Sequence, residues 1–210
     1  MQGDPVWMRG LLAVHIAAGT ASFLLAPVAL VTAKGGKQHK RWGMVYLVSM
    51  GAVAATALPM ALYRPVLFLA LVAVFSFYAA FSGYRVLKLK ELARGGSAQL
   101  VDWMAAGVTF LSSACLAGFG VFRPAWVQNF WIVAVVFGIL GMRLAFMQMK
   151  SFVSKPKDRM FWWYTHLGNF IGSYIAAWTA FSAVTLSQLL HSHRLVVWLW
   201  RRRLGRLLFF

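Results

Sequence analysis

His15-Ile-Ala-Ala-Gly19-Thr-Ala-Ser22-Phe-Leu-Leu-Ala26-Pro27 continues through Val28-Ala-Leu-Val-Thr-Ala33 into Lys34-Gly-Gly-Lys-Gln-His39-Lys-Arg-Trp42-Gly43, and a second apolar run follows. The stretch reads as an apolar helix, a break, a basic turn and another apolar helix. His15, Gly19, Ser22 and Ala26 recur at four, three and four residues, so they share one helix face. Small residues let helices approach closely in lipid, which makes this the face that meets other spans. Pro27 has no N–H to donate, so it predicts a kink and a freed carbonyl that the surrounding helices must satisfy.

Working outward, the same unit of helix, short connection and helix recurs to the end of the apolar region. Six apolar stretches are long enough to cross the hydrocarbon of a bilayer, at about Gly10–Ala33, Gly43–Tyr63, Pro65–Tyr84, Trp103–Phe122, Trp126–Met147 and Trp162–Ser187. Of 210 residues, 61% are hydrophobic and 12% charged, with a mean hydropathy of +0.70. A soluble domain carries about a quarter charged residues. Lipid cannot satisfy backbone polar groups, so the stretches are helices, and the expected fold is all-α: a transmembrane bundle of six helices in three hairpins. Residues 1–187 form this domain, and 188–210 a basic, aromatic tail whose arginines and tryptophans suit an interfacial segment.

The net charge of +17 does not point to nucleic acid, because its distribution follows the positive-inside rule. Lys34, Lys37, Lys40 and Arg41 follow the first span; Arg85, Lys88, Lys90 and Arg94 the third; Arg143, Lys150, Lys155, Lys157 and Arg159 mark the end of the fifth. Only Arg64 and Arg123 occupy the opposite turns. The N-terminus is therefore expected outside and the three basic turns in the cytoplasm, in a multi-pass protein of a bacterial inner membrane. Trp42, Trp103, Trp162 and Trp163 place an aromatic belt at the cytoplasmic side. The first span is expected to begin with Asp4 as cap and Pro5 at its first position. Cys115 is a single mid-span thiol with a packing role, and Gly168 and Gly172 form a GxxxG packing pair.

Histidines inside spans carry the chemistry, since a buried polar ring is costly and needs a partner. His15 lies in the first span; His166, Asn169 and Ser173 form a polar stripe in the sixth that must face the bundle interior; His39 stands at the interface. Paired imidazoles from facing helices suit haem b or a related tetrapyrrole, with Gly19 and Gly168 leaving room for a macrocycle. Depth discriminates among the pairs. At 1.5 Å per residue His15 is about 27 Å from the inner end of its span and His166 about 12 Å, so the two differ by about 15 Å. His39 and His166 share the inner half and are the better pair, with Arg41 or Arg143 available to propionates. His15 remains a separate outer ligand, with Gln128, Asn129 or a small molecule as its partner. No acidic residue lies within a span, which disfavours a carboxylate-rich metal or proton-pumping site. Phosphate-loop, zinc and Ser-His-Asp patterns are absent from the sequence.

His15-Ile-Ala-Ala-Gly19, Ala-Pro27, Lys34-Gly-Gly-Lys-Gln-His39-Lys-Arg-Trp-Gly43 with Tyr46, Trp163-Tyr-Thr-His166 and Gly172-Ser-Tyr-Ile-Ala-Ala-Trp-Thr-Ala-Phe181 resemble the bacterial membrane-protein family catalogued as domain of unknown function 2306. The resemblance covers about His15 to Ser187 and implies a compact multi-span bundle with no assigned activity. Two functions are consistent with the sequence. One is a non-enzymatic accessory or scaffold subunit that packs in the lipid bilayer against membrane-protein partners or a second copy of itself. The alternative is a haem- or other tetrapyrrole-binding electron-transfer subunit using His39 and His166, or His15. A transporter is disfavoured by the scarcity of intramembrane charge.

Overall fold

The computed structural model describes residues 5–63, 67–122, 131–154, 156–182 and 185, which are helical with short connections. Helix α1 is Val6–Val31, α2 Lys37–Tyr63, α3 Leu67–Arg85, α4 Leu100–Phe122 and α5 Trp131–Val153. Residues 161–182 are also helical, and α6 here denotes 161–177. The chain divides after Ala177 into two compact units. In the second, 178–182 are helical and the Trp178 and Phe181 rings meet edge to face at 6.5 Å. Gln128, Asn129, Arg64, Arg123, Lys155 and the tail 188–210 lie outside the described residues.

Within the first unit, α1 packs on α2 and α4 on α5, while α3 touches α2, α4 and α5. That central position makes α3 the most buried helix, with Ala70, Val72, Ala79 and Ala80 almost wholly enclosed. Among the described residues five helices are long and apolar enough to cross a membrane. Their outer faces remain greasy: Leu24, Val31, Leu111 and Phe146 are all more than half exposed. Apolar surface on this scale belongs in lipid, so the fold is that of a multi-pass helical membrane protein.

The helix ends correct the sequence reading in places. The basic stretch is a turn only up to Gly36: Thr32 turns extended, Gly35 adopts φ 76°, and α2 begins at Lys37, so His39 and Trp42 ride on helix. Gly35 is needed there because a side chain rarely tolerates that backbone. Pro5 occupies the capping position rather than the first helical one, its carbonyl accepting from Met8 and Arg9. Helix α4 starts three residues earlier than expected because Gln99 and Asp102 build a cap: the Asp102 carboxylate accepts from the Gln99 N–H at 3.0 Å. Helix α5 ends at Val153, well past Met147, and Lys150 lies in its last turn.

Close packing also falls elsewhere than expected. A Cβ at Gly168 or Gly172 would meet nothing within 4 Å, so among the described residues no close packing requires glycine at the GxxxG pair. The tight seam joins α4 and α5, where a Cβ at Gly138 would stand 2.5 Å from the Ala117 nitrogen and one at Gly141 2.1 Å from Ser113 Oγ. Cys115 is exposed on the outer face of α4 and not in the packing.

Candidate functional site

Helix α6 is fastened to α3 by the polar stripe. His166 Nδ1 donates to the Gly83 carbonyl at 2.8 Å, Asn169 Nδ2 to Ser82 Oγ at 2.9 Å, and Ser173 Oγ to the Ser76 carbonyl at 2.7 Å. Tyr46 from α2 adds a bond to Ser173 Oγ at 2.9 Å. Since the Ser173 proton is committed to Ser76, Tyr46 is the donor. Gly83 lies in the last turn of α3, where carbonyls lack an intrahelical partner, so His166 caps that helix as it docks. The approach is close, as a Cβ at Gly83 would stand 2.8 Å from the Phe170 ring.

His39 is held in the same manner. Its Nδ1 donates at 2.9 Å to the Ala29 carbonyl in the last turn of α1. Carbonyl oxygens only accept, so both His39 and His166 carry their proton on Nδ1, and in the neutral ring Nε2 keeps its lone pair. The two rings lie 6.2 Å apart between centroids with planes at 71°. Phe170 closes on His166 at 4.9 Å. The ends of α1 and α3 and the starts of α2 and α6 therefore bring two oriented imidazoles together at one end of the bundle, half-buried.

His15 lies elsewhere. Its Nδ1 is 2.9 Å from Thr56 Oγ1, and that hydroxyl gives its own proton to the Ala52 carbonyl at 2.7 Å, so His15 is the donor here too. Placed sixteen positions before Val31, it sits about 24 Å along α1 from the helix end that holds His39. Neither arginine expected to serve the site points to it by its contacts. Arg41 is exposed and lies over Trp42 at 5.5 Å; Arg143 is exposed on α5, which packs against α4 and α3. Instead, Lys34 donates to the Leu30 carbonyl, next to the Ala29 carbonyl that holds His39, and Lys90 sits 4.1 Å above the ring of Trp162, one helical turn before His166. Sequence reasoning missed these lysines because the positive-inside rule explains any basic residue at this level.

A second polar centre was also missed. Arg85 grips Asp102 with two bonds, Nε to Oδ1 at 2.7 Å and Nη2 to Oδ2 at 2.8 Å, and Nη2 reaches Gln99 Oε1 at 2.8 Å. Asp102 is only 3% exposed. Tyr78, Ser82 and Gln148 join the pair around a cavity of about 10 Å³, room for a single water. The arrangement is a fully partnered clamp between α3 and α4. An apolar groove of about 450 Å³, also between α3 and α4, is lined by residues such as Phe77, Met104 and Val108 and offers no ionisable group but the Tyr78 phenol.

Among the described residues no group of three or more His, Cys, Asp or Glu side chains could hold a metal ion. Two metal–imidazole bonds of about 2 Å each, with the ring radii added, span about 6 Å, the observed separation. No family model, curated protein or solved structure matches the chain.

Proposed function

We propose that the protein is a bacterial inner-membrane electron-transfer subunit that carries haem b or a related tetrapyrrole iron between His39 and His166. The observation that carries this reading is the 6.2 Å pairing of two rings whose Nδ1 protons are both spent on backbone carbonyls. Metal-bound histidines are oriented in this way, the second nitrogen donating to a carbonyl so that tautomer and ring direction are set in advance. Tetrapyrrole iron accepts imidazole ligands, and His39 and His166 would be the residues that hold it. Open space beside Gly168 and the resemblance to the uncharacterised bacterial family are compatible with the reading. The orientation with the basic turns in the cytoplasm puts the site near the inner face. The test is the absorption spectrum and iron content of the purified protein. A Soret band lost in His39→Ala and in His166→Ala is expected; a colourless, iron-free protein that keeps its helical fold contradicts the reading. Reporter fusions near Gly95 and at the C-terminus check the orientation.

A second reading, an accessory subunit packing on a membrane partner or on a second copy, is favoured by α1. It is the least buried of the five spans, and its Gly10 and Gly19 would each accept a Cβ without contact. A chain that runs as a small monomer after mild-detergent extraction contradicts it.

A further inference from the structure

The helix ends around His39 and His166 collect positive charge that the carboxylates among the described residues leave unanswered. Lys34 Nζ and His39 Nδ1 donate to successive carbonyls of α1, Leu30 and Ala29, so the ammonium and the imidazole sit side by side at that helix end. Lys90 lies over the start of α6. Its ammonium lies 4.1 Å over Trp162, which is four residues before His166 and so on the same face of α6, one turn away. Among the described residues every carboxylate is engaged elsewhere. Glu91 pairs with Arg94 at 3.2 Å, Asp102 with Arg85 at 2.7 Å, and Asp158 accepts from the Met160 N–H at 2.7 Å. An ammonium has three donors; Lys34 uses one on Leu30, and the contact of Lys90 with the indole face leaves its own available.

We propose that Lys34 and Lys90 bind the acidic groups of the ligand held at His39 and His166, which makes that ligand a metal tetrapyrrole with free carboxylates. This rests on the tetrapyrrole reading above and assigns to the two lysines the role that the sequence had offered to Arg41 and Arg143. The two ammonium groups stand at the end of α1 that holds His39 and over the start of α6 that carries His166. They act as positioning residues: the metal is bound by the histidines and the edge of the ring is fixed by the ammonium groups.

The experiment titrates haemin and its dimethyl ester, in which both carboxylates are masked, into the purified full-length protein in zwitterionic nanodiscs. The wild type is expected to bind the free acid about tenfold more tightly or better, as charge-assisted bonds do. In the Lys34→Gln/Lys90→Gln double variant the two porphyrins should bind equally, with the two-imidazole spectrum retained as evidence of an intact fold and site. Equal affinities in the wild type, or a preference unchanged in the double variant, overturn the lysine assignment and leave the histidine pair standing. Failure of both porphyrins to bind overturns the pair and the assignment together. Phosphate of a lipid headgroup is the competing source of negative charge. The titration is therefore repeated in nanodiscs rich in phosphatidylglycerol, where an undiminished preference for the free acid is expected. Loss of that preference would show headgroups holding the lysines and overturn the proposal.

Discussion

The Tyr174 phenol donates at 3.3 Å to the Phe23 carbonyl, the group four residues before Pro27 that the proline has no N–H to meet. The break in α1 and its repair thus come from different helices 151 positions apart. Because α6 supplies the hydroxyl, the seat of α1 and the seat of α6 are coupled; α1 holds His39 through the Ala29 carbonyl, and α6 carries His166.

Tyr174→Phe should therefore cost about 1 kcal/mol of unfolding free energy. In a Pro27→Ala background, where an amide N–H is restored to serve Phe23, the same change should cost less. Denaturant unfolding of the four proteins in mixed micelles measures the coupling, and an equal loss in both backgrounds would contradict the account.

The Arg85–Asp102 clamp predicts a larger effect. Their side chains are 12% and 2% exposed, so Arg85→Ala strands a buried carboxylate and should destabilise by about 3–5 kcal/mol. Adding Asp102→Asn removes the stranded charge and should return part of the loss. A double variant less stable than Arg85→Ala alone would show that the pair does not act as a unit.

The glycines separate two kinds of surface. Gly138→Ala places a methyl group against the Ala117 backbone, which cannot rotate away, and should cost about 1–3 kcal/mol. Gly168→Ala meets nothing and should be neutral or slightly stabilising, since alanine is the better helix former. Thermal unfolding of the two variants side by side distinguishes them.

Much of this was legible in the sequence because lipid imposes strong rules. Span lengths, the inward stripe of His166, Asn169 and Ser173, and the need to satisfy the carbonyl freed by Pro27 all follow from the cost of an unpaired polar group in hydrocarbon. Depth alone favoured His39 with His166, and the rings do meet. The sequence was silent on lateral position. It could not say that Arg85 turns toward Asp102, that Cys115 faces outward or that Gly138 rather than Gly168 lies in a seam, because rotation about a helix axis depends on neighbours distant in the chain. The lysines beside His166 were hidden for another reason: any basic residue at a cytoplasmic helix end already has an explanation.

His15 is bonded to Thr56 far along α1 from the pair, so His15→Ala should leave the optical spectrum of the His39–His166 site unchanged. Loss of the Soret band in that variant would mean that the outer histidine, and not the inner pair, holds the cofactor.

The most direct test of the central claim is low-temperature electron paramagnetic resonance of the oxidised protein. Two imidazoles whose planes cross at 71° should give the strongly anisotropic low-spin ferric signal of crossed axial ligands, and His39→Ala or His166→Ala should abolish it. A high-spin signal in the wild type, or a low-spin signal that survives both substitutions, would contradict the account.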